Sequence, residues 1–188
     1  RRTMVSCESG EIIRMFDDAF SNLTDITPCF RPLELSDEID ELNEYIQENI
    51  NTGVYKCGFA KSQEDYERAF DALFSALDAM ETRLSKQRYL HGTEITETDW
   101  RLFPTLVRFD PVYYVHFKTN KYRIEDYPNL SNYLRDLYQK PGVAKTIDIE
   151  ETKLHYYYTH DFINPTRFVP KGPILDWSRA HDRERFEN

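Results

Sequence analysis

The stretch HGTEITETDWRLFPTLVRFD, residues 91–110, decides the fold class. Thr96 reads as an N-cap, with Asp99 three residues on returning a bond to its backbone amide. Ile95 just outside and Trp100 just inside supply the hydrophobic staple of such a start. The run that follows (Trp100, Leu102, Phe103, Leu106, Val107, Phe109) is apolar on nearly every side, which predicts a helix at the centre of a bundle. Pro104 and Pro111 remove amide donors along it, and Pro111 is expected to end or kink the helix.

A central helix needs others around it, and the flanking sequence offers them. Upstream, Ser36 is a candidate cap for a helix on Ile39, Leu42, Tyr45, Ile46 and Ile50, with Asn51-Thr52-Gly53 as its stop. Ser62 and Asp65 form a second capping box, before a stripe of Tyr66, Phe70, Leu73, Phe74, Leu77, Met80 and Leu84. These two helices are expected to form an antiparallel pair. Downstream, Leu130, Tyr133, Leu134, Leu137 and Tyr138 recur at helical spacing until Pro141-Gly142 breaks the pattern. A last helix is expected around Ile149 to Tyr158. The Pro-rich stretch after it is expected to run extended along the surface. The front differs, because Thr3 to Ser6 reads as a short β-like run entering a helix. The class is mainly all-α, with a sliver of something else at the front.

Composition sets the outer limits. Forty per cent hydrophobic and 14% aromatic residues in a chain of 188 are ample for a packed core. A net charge of −9, with no basic cluster outside the last dozen residues, argues against nucleic acid as a partner. No apolar run approaches the ~20 residues that span a bilayer. Cys7, Cys29 and Cys57 are odd in number and form no CxxC pair, so a disulfide framework is not expected. Each reads as a buried or half-buried thiol. Dinucleotide, phosphate-loop, zinc-protease and nucleophile-elbow motifs are all missing from the sequence. No metal site is expected, since His155 and His160 are five apart and His91 and His116 stand alone.

Tyrosine is the unusual residue, with 13 copies. Tyr55 in GVYKCGFA, Tyr113 in FDPVYY and Tyr156 in LHYYYTH each combine a stacking face with a hydroxyl that donates a hydrogen bond or a proton. Converging on one cavity, they would suit a flat, oxygenated aromatic ligand. The alternative is that such tyrosines merely cap core helices with their hydroxyls in water. At the front, Glu8 and Ser9 open a helix whose free amides and dipole favour a carboxylate, while Glu8 can take an ammonium.

Taken together these pieces resemble the glutathione transferase superfamily. More specifically, NTGVYKCGFA (51–60), ETDWRLFPTLVRFDPVYYVHFKTN (97–120), YPNLSNYLRDLYQKPGVAKTI (127–147), HYYYTH (155–160) and INPTRFVPKGP (163–173) resemble the Xi class, the glutathionyl-hydroquinone reductases. The resemblance implies a glutathione-transferase-type C-terminal helical bundle at 31–162. Before it would stand the last strand and helix of a thioredoxin-like domain (1–30), and after it a Pro-rich extended tail (163–188). It implies glutathione as co-substrate, with Glu8 and Ser9 on its γ-glutamyl end. Tyr55, Tyr113 and Tyr156 would bind the quinol and donate a proton. It further implies a homodimer through the helical domains, and a cytoplasmic location, or an organellar one if a targeting segment lies upstream. The family's nucleophile is a cysteine before a Pro-Trp pair, and no Cys-Pro-Trp occurs in this sequence. That cysteine is expected upstream of Arg1, which leaves the 188 residues alone inactive. The competing expectation is a catalytically inactive helical form serving as a structural subunit or aromatic-ligand-binding module.

Overall fold

Thr96 caps and Asp99 reciprocates, as the sequence requires, and the helix they start is the axis of the molecule. The computed structural model describes residues 6–19, 23 and 29–186. Among these, α5 (Glu97–Arg108) carries the capping box, and the Thr96 amide donates to Asp99 Oδ2 at 2.8 Å. Asp99 is fully buried and accepts three further bonds, from the Leu90 amide, the Thr96 hydroxyl and the Tyr133 hydroxyl. Eight of the twelve α5 residues are buried, so the all-round apolar run does mark the bundle centre. Pro104 is tolerated because it sits on the exposed side.

α2 (Ser36–Ile46) packs on α5. Two expectations fail here. Leu35 occupies the cap position and Ser36 lies inside the helix. Asn51-Thr52-Gly53 does not stop the chain either. A π-helical turn (Gln47–Asn51) leads straight into α3 (Gly53–Gly58). Asn51 is a bracket to α5 instead: its amide nitrogen donates to the Arg101 carbonyl at 3.1 Å, and its oxygen accepts from Thr105 at 2.7 Å. Gly53 is buried against Leu73. In consequence α4 (Gln63–Leu84) is packed by α3 and its π turn, while α2 faces α5, so the expected α2–α4 pairing is displaced by one segment. Ser62 caps α4, with the Asp65 amide donating to its hydroxyl at 3.1 Å, but the Asp65 carboxylate accepts from that same hydroxyl at 2.7 Å, so the reciprocal half of the expected box is replaced by a side-chain bond.

After α5, Pro111 has no amide to give, and the backbone widens into a π turn at Phe109–Tyr113 before the short α6 (Tyr114–His116). α7 (Pro128–Tyr138) buries Leu130, Tyr133, Leu134 and Leu137 against α4 and α5. Gly142, at φ 88°, makes the break before α8 (Ile149–Thr159), which Asp148 caps. The segment beyond α8 does more than follow the surface. Trp177 is buried against Tyr138, with ring centroids 5.3 Å apart. Arg183 is wholly buried and donates to the carbonyl of Leu84, the last residue of α4, and to those of Gln87 and Arg88 in the turn after it. The Leu84 carbonyl is one that a helix end leaves without a partner, so the guanidinium completes α4 there and fastens the turn that follows it.

α1 (Ser9–Ala19) is tied to this bundle by charge. The buried Glu97 accepts from Arg14 (2.6 Å) and Asn43 (2.7 Å) and forms an ion pair with Arg101 (3.3 Å), and Asp40 pairs with both Arg14 and Arg31. Thr3 to Val5 of the expected front strand lie outside the described residues, and Ser6 is not in a strand.

Candidate functional site

α3, which follows the first π turn, presents Tyr55, the second π turn ends on Tyr113, and α8 presents a third tyrosine, Tyr156. The three hydroxyls meet. Tyr156 Oη lies 2.6 Å from Tyr55 Oη and 3.0 Å from Tyr113 Oη. Tyr156 is therefore the middle of a three-phenol chain. Tyr113 is buried, and Tyr55 and Tyr156 are half-buried. Burial pushes the Tyr55 hydroxyl up to about 12, with the neighbouring Tyr156 adding to the effect. Burial likewise raises that of Tyr113, reinforced by both neighbouring phenols. These groups hold their protons at neutral pH. Three hydroxyls carry three protons, and the two internal contacts use two of them. One O–H is left to face a ligand.

Each phenol brings an aromatic partner one helical turn on. Tyr55 pairs with Phe59 at 5.7 Å, Tyr113 stacks on Phe117 at 5.3 Å and 11°, and Tyr156 meets His160 at 5.5 Å. Phe117 also touches Tyr55, Phe59 and Tyr156, so it is the floor of the group. Sequence reasoning missed Phe59, Phe117 and His160. The signal was there as an aromatic at i+4 of every singled-out tyrosine, the spacing at which helical side chains touch.

His116 is not alone. Its Nε2 lies 3.2 Å from Nδ1 of His160, and its ring packs 4.4 Å from Tyr157. Burial first, and His160 second, lower its basicity to about 4. The pair joins the segment carrying Tyr113 to the helix carrying Tyr156.

A cleft of about 370 Å³ opens beside Tyr156, bounded by α8, the turn before it and Arg108 at the end of α5. Arg108 is close enough for its charge to favour the phenolate of Tyr55. Glu8 and Ser9 stand elsewhere, exposed at the start of α1. The Glu8 amide donates to Ser6 Oγ at 3.0 Å, and Ser6 Oγ in turn donates to Glu11. Cys7 and Cys29 are exposed rather than buried, because they lie on the polar segments flanking α1. Cys57 is buried, and burial pushes its thiol up to about 12, which leaves it protonated and inert. Among the described residues no group of three His, Cys, Asp or Glu side chains is placed to hold a metal ion, and no helix is long and apolar enough to cross a membrane.

A capped central helix within a bundle of this order defines a helical domain of the glutathione-transferase type. Residues 63–136 match the family model for the glutathione S-transferase C-terminal domain. The chain is 48% identical to the glutathionyl-hydroquinone reductase YqjG of Escherichia coli (strain K12), over 97% of its own length and 56% of that protein. It is 46% identical to the glutathionyl-hydroquinone reductase PcpF of Sphingobium chlorophenolicum, over 92% of this chain and 55% of that one. The glutathione-bound structure of YqjG superposes with a TM-score of 0.94, covering 97% of this chain and 59% of that one. A Xi class transferase from Natrialba magadii does so with a TM-score of 0.94 at 45% identity, over 97% and 56%. The chain thus spans little more than half the length of the relatives it matches. Its helical bundle is a glutathione S-transferase C-terminal domain, and the chain as a whole is similar to transferases of the Xi class.

Proposed function

We propose that the protein containing this chain reduces glutathionyl-hydroquinones to hydroquinones at the expense of glutathione. A cysteine thiolate attacks the sulfur of the conjugate, forming a cysteine–glutathione disulfide as the carbon–sulfur bond breaks. The ring carbon takes a proton, and a second glutathione displaces the cysteine to give glutathione disulfide. The nucleophile is not among these residues, since neither exposed cysteine matches the family's motif and Cys57 holds its proton. The 188-residue chain by itself is accordingly inactive.

The role of this chain is to hold the quinol and deliver the proton. Phe117 and the tyrosine rings provide an aromatic wall, and the phenol not engaged within the chain donates to the quinol oxygen or the ring carbon. Glu8 and Ser9 meet the γ-glutamyl end of glutathione at the α1 start. The protein works as a homodimer through its helical domains, in the cytoplasm. Residues 1–30 form the end of a thioredoxin-like domain, 31–162 the helical domain and 163–188 its tail. The observation carrying the reading is the convergence of the Tyr55 and Tyr113 hydroxyls on that of Tyr156, at 2.6 and 3.0 Å. The test is a turnover assay of the full-length protein with glutathionyl-menadiol and glutathione, following menadiol release. Absence of release with all cysteines reduced would overturn it.

A further inference from the structure

The cleft beside Tyr156 has a lining that says what it receives. Apart from Tyr156 itself, that lining contains no hydrocarbon side chain. Thr146 and Thr152 contribute hydroxyls, His155 an imidazole and Arg108 a guanidinium, with Asp148 and Glu151 on the α8 side. Both threonine protons are already committed, to the carbonyls of Val143 (2.8 Å) and Asp148 (2.6 Å), so these hydroxyls are left as acceptors. Asp148 Oδ1 is held by the Glu151 amide at 2.9 Å, as the α8 cap. Glu151 is exposed and Arg108 half-buried.

Arg108 is the cation with unused capacity. One nitrogen donates to the Pro104 carbonyl at 2.9 Å, and among the described residues the guanidinium makes no ion pair. A guanidinium has five donors in a planar fork suited to a carboxylate. A prenyl or alkyl chain placed in this cleft would desolvate the guanidinium, the imidazole and two carboxylates and return no hydrogen bond.

We infer that the cleft beside Tyr156 selects aromatic diols carrying a carboxylate substituent, which Arg108 binds, and disfavours those carrying a prenyl chain. The inference rests on the proposed quinol site and deepens it by naming the substituent. Arg108 acts as a specificity-determining residue, one that touches the substituent and leaves the reacting carbon to the phenols.

Direct binding tests this independently of turnover. The 188-residue chain is titrated calorimetrically under anaerobic conditions with 1,4-dihydroxynaphthalene, its 2-carboxylate, its neutral 2-carboxamide and its 2-prenyl derivative. The carboxylate is expected to bind about 10-fold tighter than the parent diol, as one charge-assisted hydrogen bond allows. The carboxamide should fall between these two, and the prenyl compound below the parent. Arg108→Gln should erase the carboxylate's advantage over the parent diol, measured on the same variant, and Arg108→Lys should retain part of it. Equal affinities, tightest binding by the prenyl compound, or an advantage that survives Arg108→Gln would overturn the inference. Failure of every probe to bind would overturn it together with the phenol site. A failed glutathionyl-menadiol assay with intact carboxylate selectivity would remove the reductase reading and leave this one standing.

Discussion

Tyr156 is the residue on which both neighbours depend. Replacing it with phenylalanine keeps the ring and removes the shared oxygen, leaving Tyr55 and the buried Tyr113 without that partner. Stability should fall by about 1 kcal/mol, read from urea unfolding. In the full-length protein, kcat for glutathionyl-menadiol should drop by about 10²-fold, the scale of a lost proton donor, with a smaller change in KM. His116 gives a pH signature of defined sign. Its basicity is lowered to about 4 in the folded chain against 6.5 as a free side chain, so the unfolded state takes up the proton first on acidification. Its contribution is complete above about pH 6.5 and is lost as the pH falls towards 4. Lys118 and His160, the charges facing it, act in the same direction. The urea midpoint should therefore drop between pH 7 and pH 5, and drop less in His116→Gln. At this scale the sequence named the three phenols but not what they pack on. The i+4 aromatics declare themselves only once Tyr55, Tyr113 and Tyr156 are each known to sit on helical backbone.

Among the elements, α5 was legible because its start is written in local chemistry: Thr96 and Asp99 need only each other. What lay beyond the sequence was the number of outside groups drawn to the same carboxylate. Asp99→Ala would strip partners from Leu90, Thr96 and Tyr133 at once, and should cost about 3 kcal/mol or more in chemical denaturation. The two π turns were the harder reading. Asn51-Thr52-Gly53 has the composition of a stop, and it fails to act as one because Asn51 is fastened to Arg101 and Thr105 some fifty residues away. Local punctuation cannot report a distant partner. Gly58 illustrates the same point. A Cβ there would lie 2.9 Å from that of Phe117 and closer still to its ring, which is the floor of the phenol group. Gly58→Ala should destabilise by about 1–3 kcal/mol and weaken binding of 1,4-dihydroxynaphthalene. Gly10→Ala is the control, since it meets only the mobile end of Arg101 and should change the unfolding midpoint little.

Over the whole molecule, the α-helical class followed from periodicity, while the long-range closure did not. Nothing in the Pro-rich composition after α8 announces that Trp177 enters the core or that Arg183 disappears beneath α4. A buried arginine read from sequence looks like any surface cation, and its three carbonyl acceptors are backbone atoms with no residue code. Arg183→Met keeps the bulk and removes the donors, and should lower stability by about 2–3 kcal/mol in thermal and urea melts. The separation involved has its own consequence. Leu84 and Arg183 are 99 positions apart, so a polypeptide leaving the ribosome exposes the frayed end of α4 throughout the synthesis of everything between. Until that arginine emerges, the carbonyls of Leu84, Gln87 and Arg88 lack the guanidinium that holds them in the folded chain.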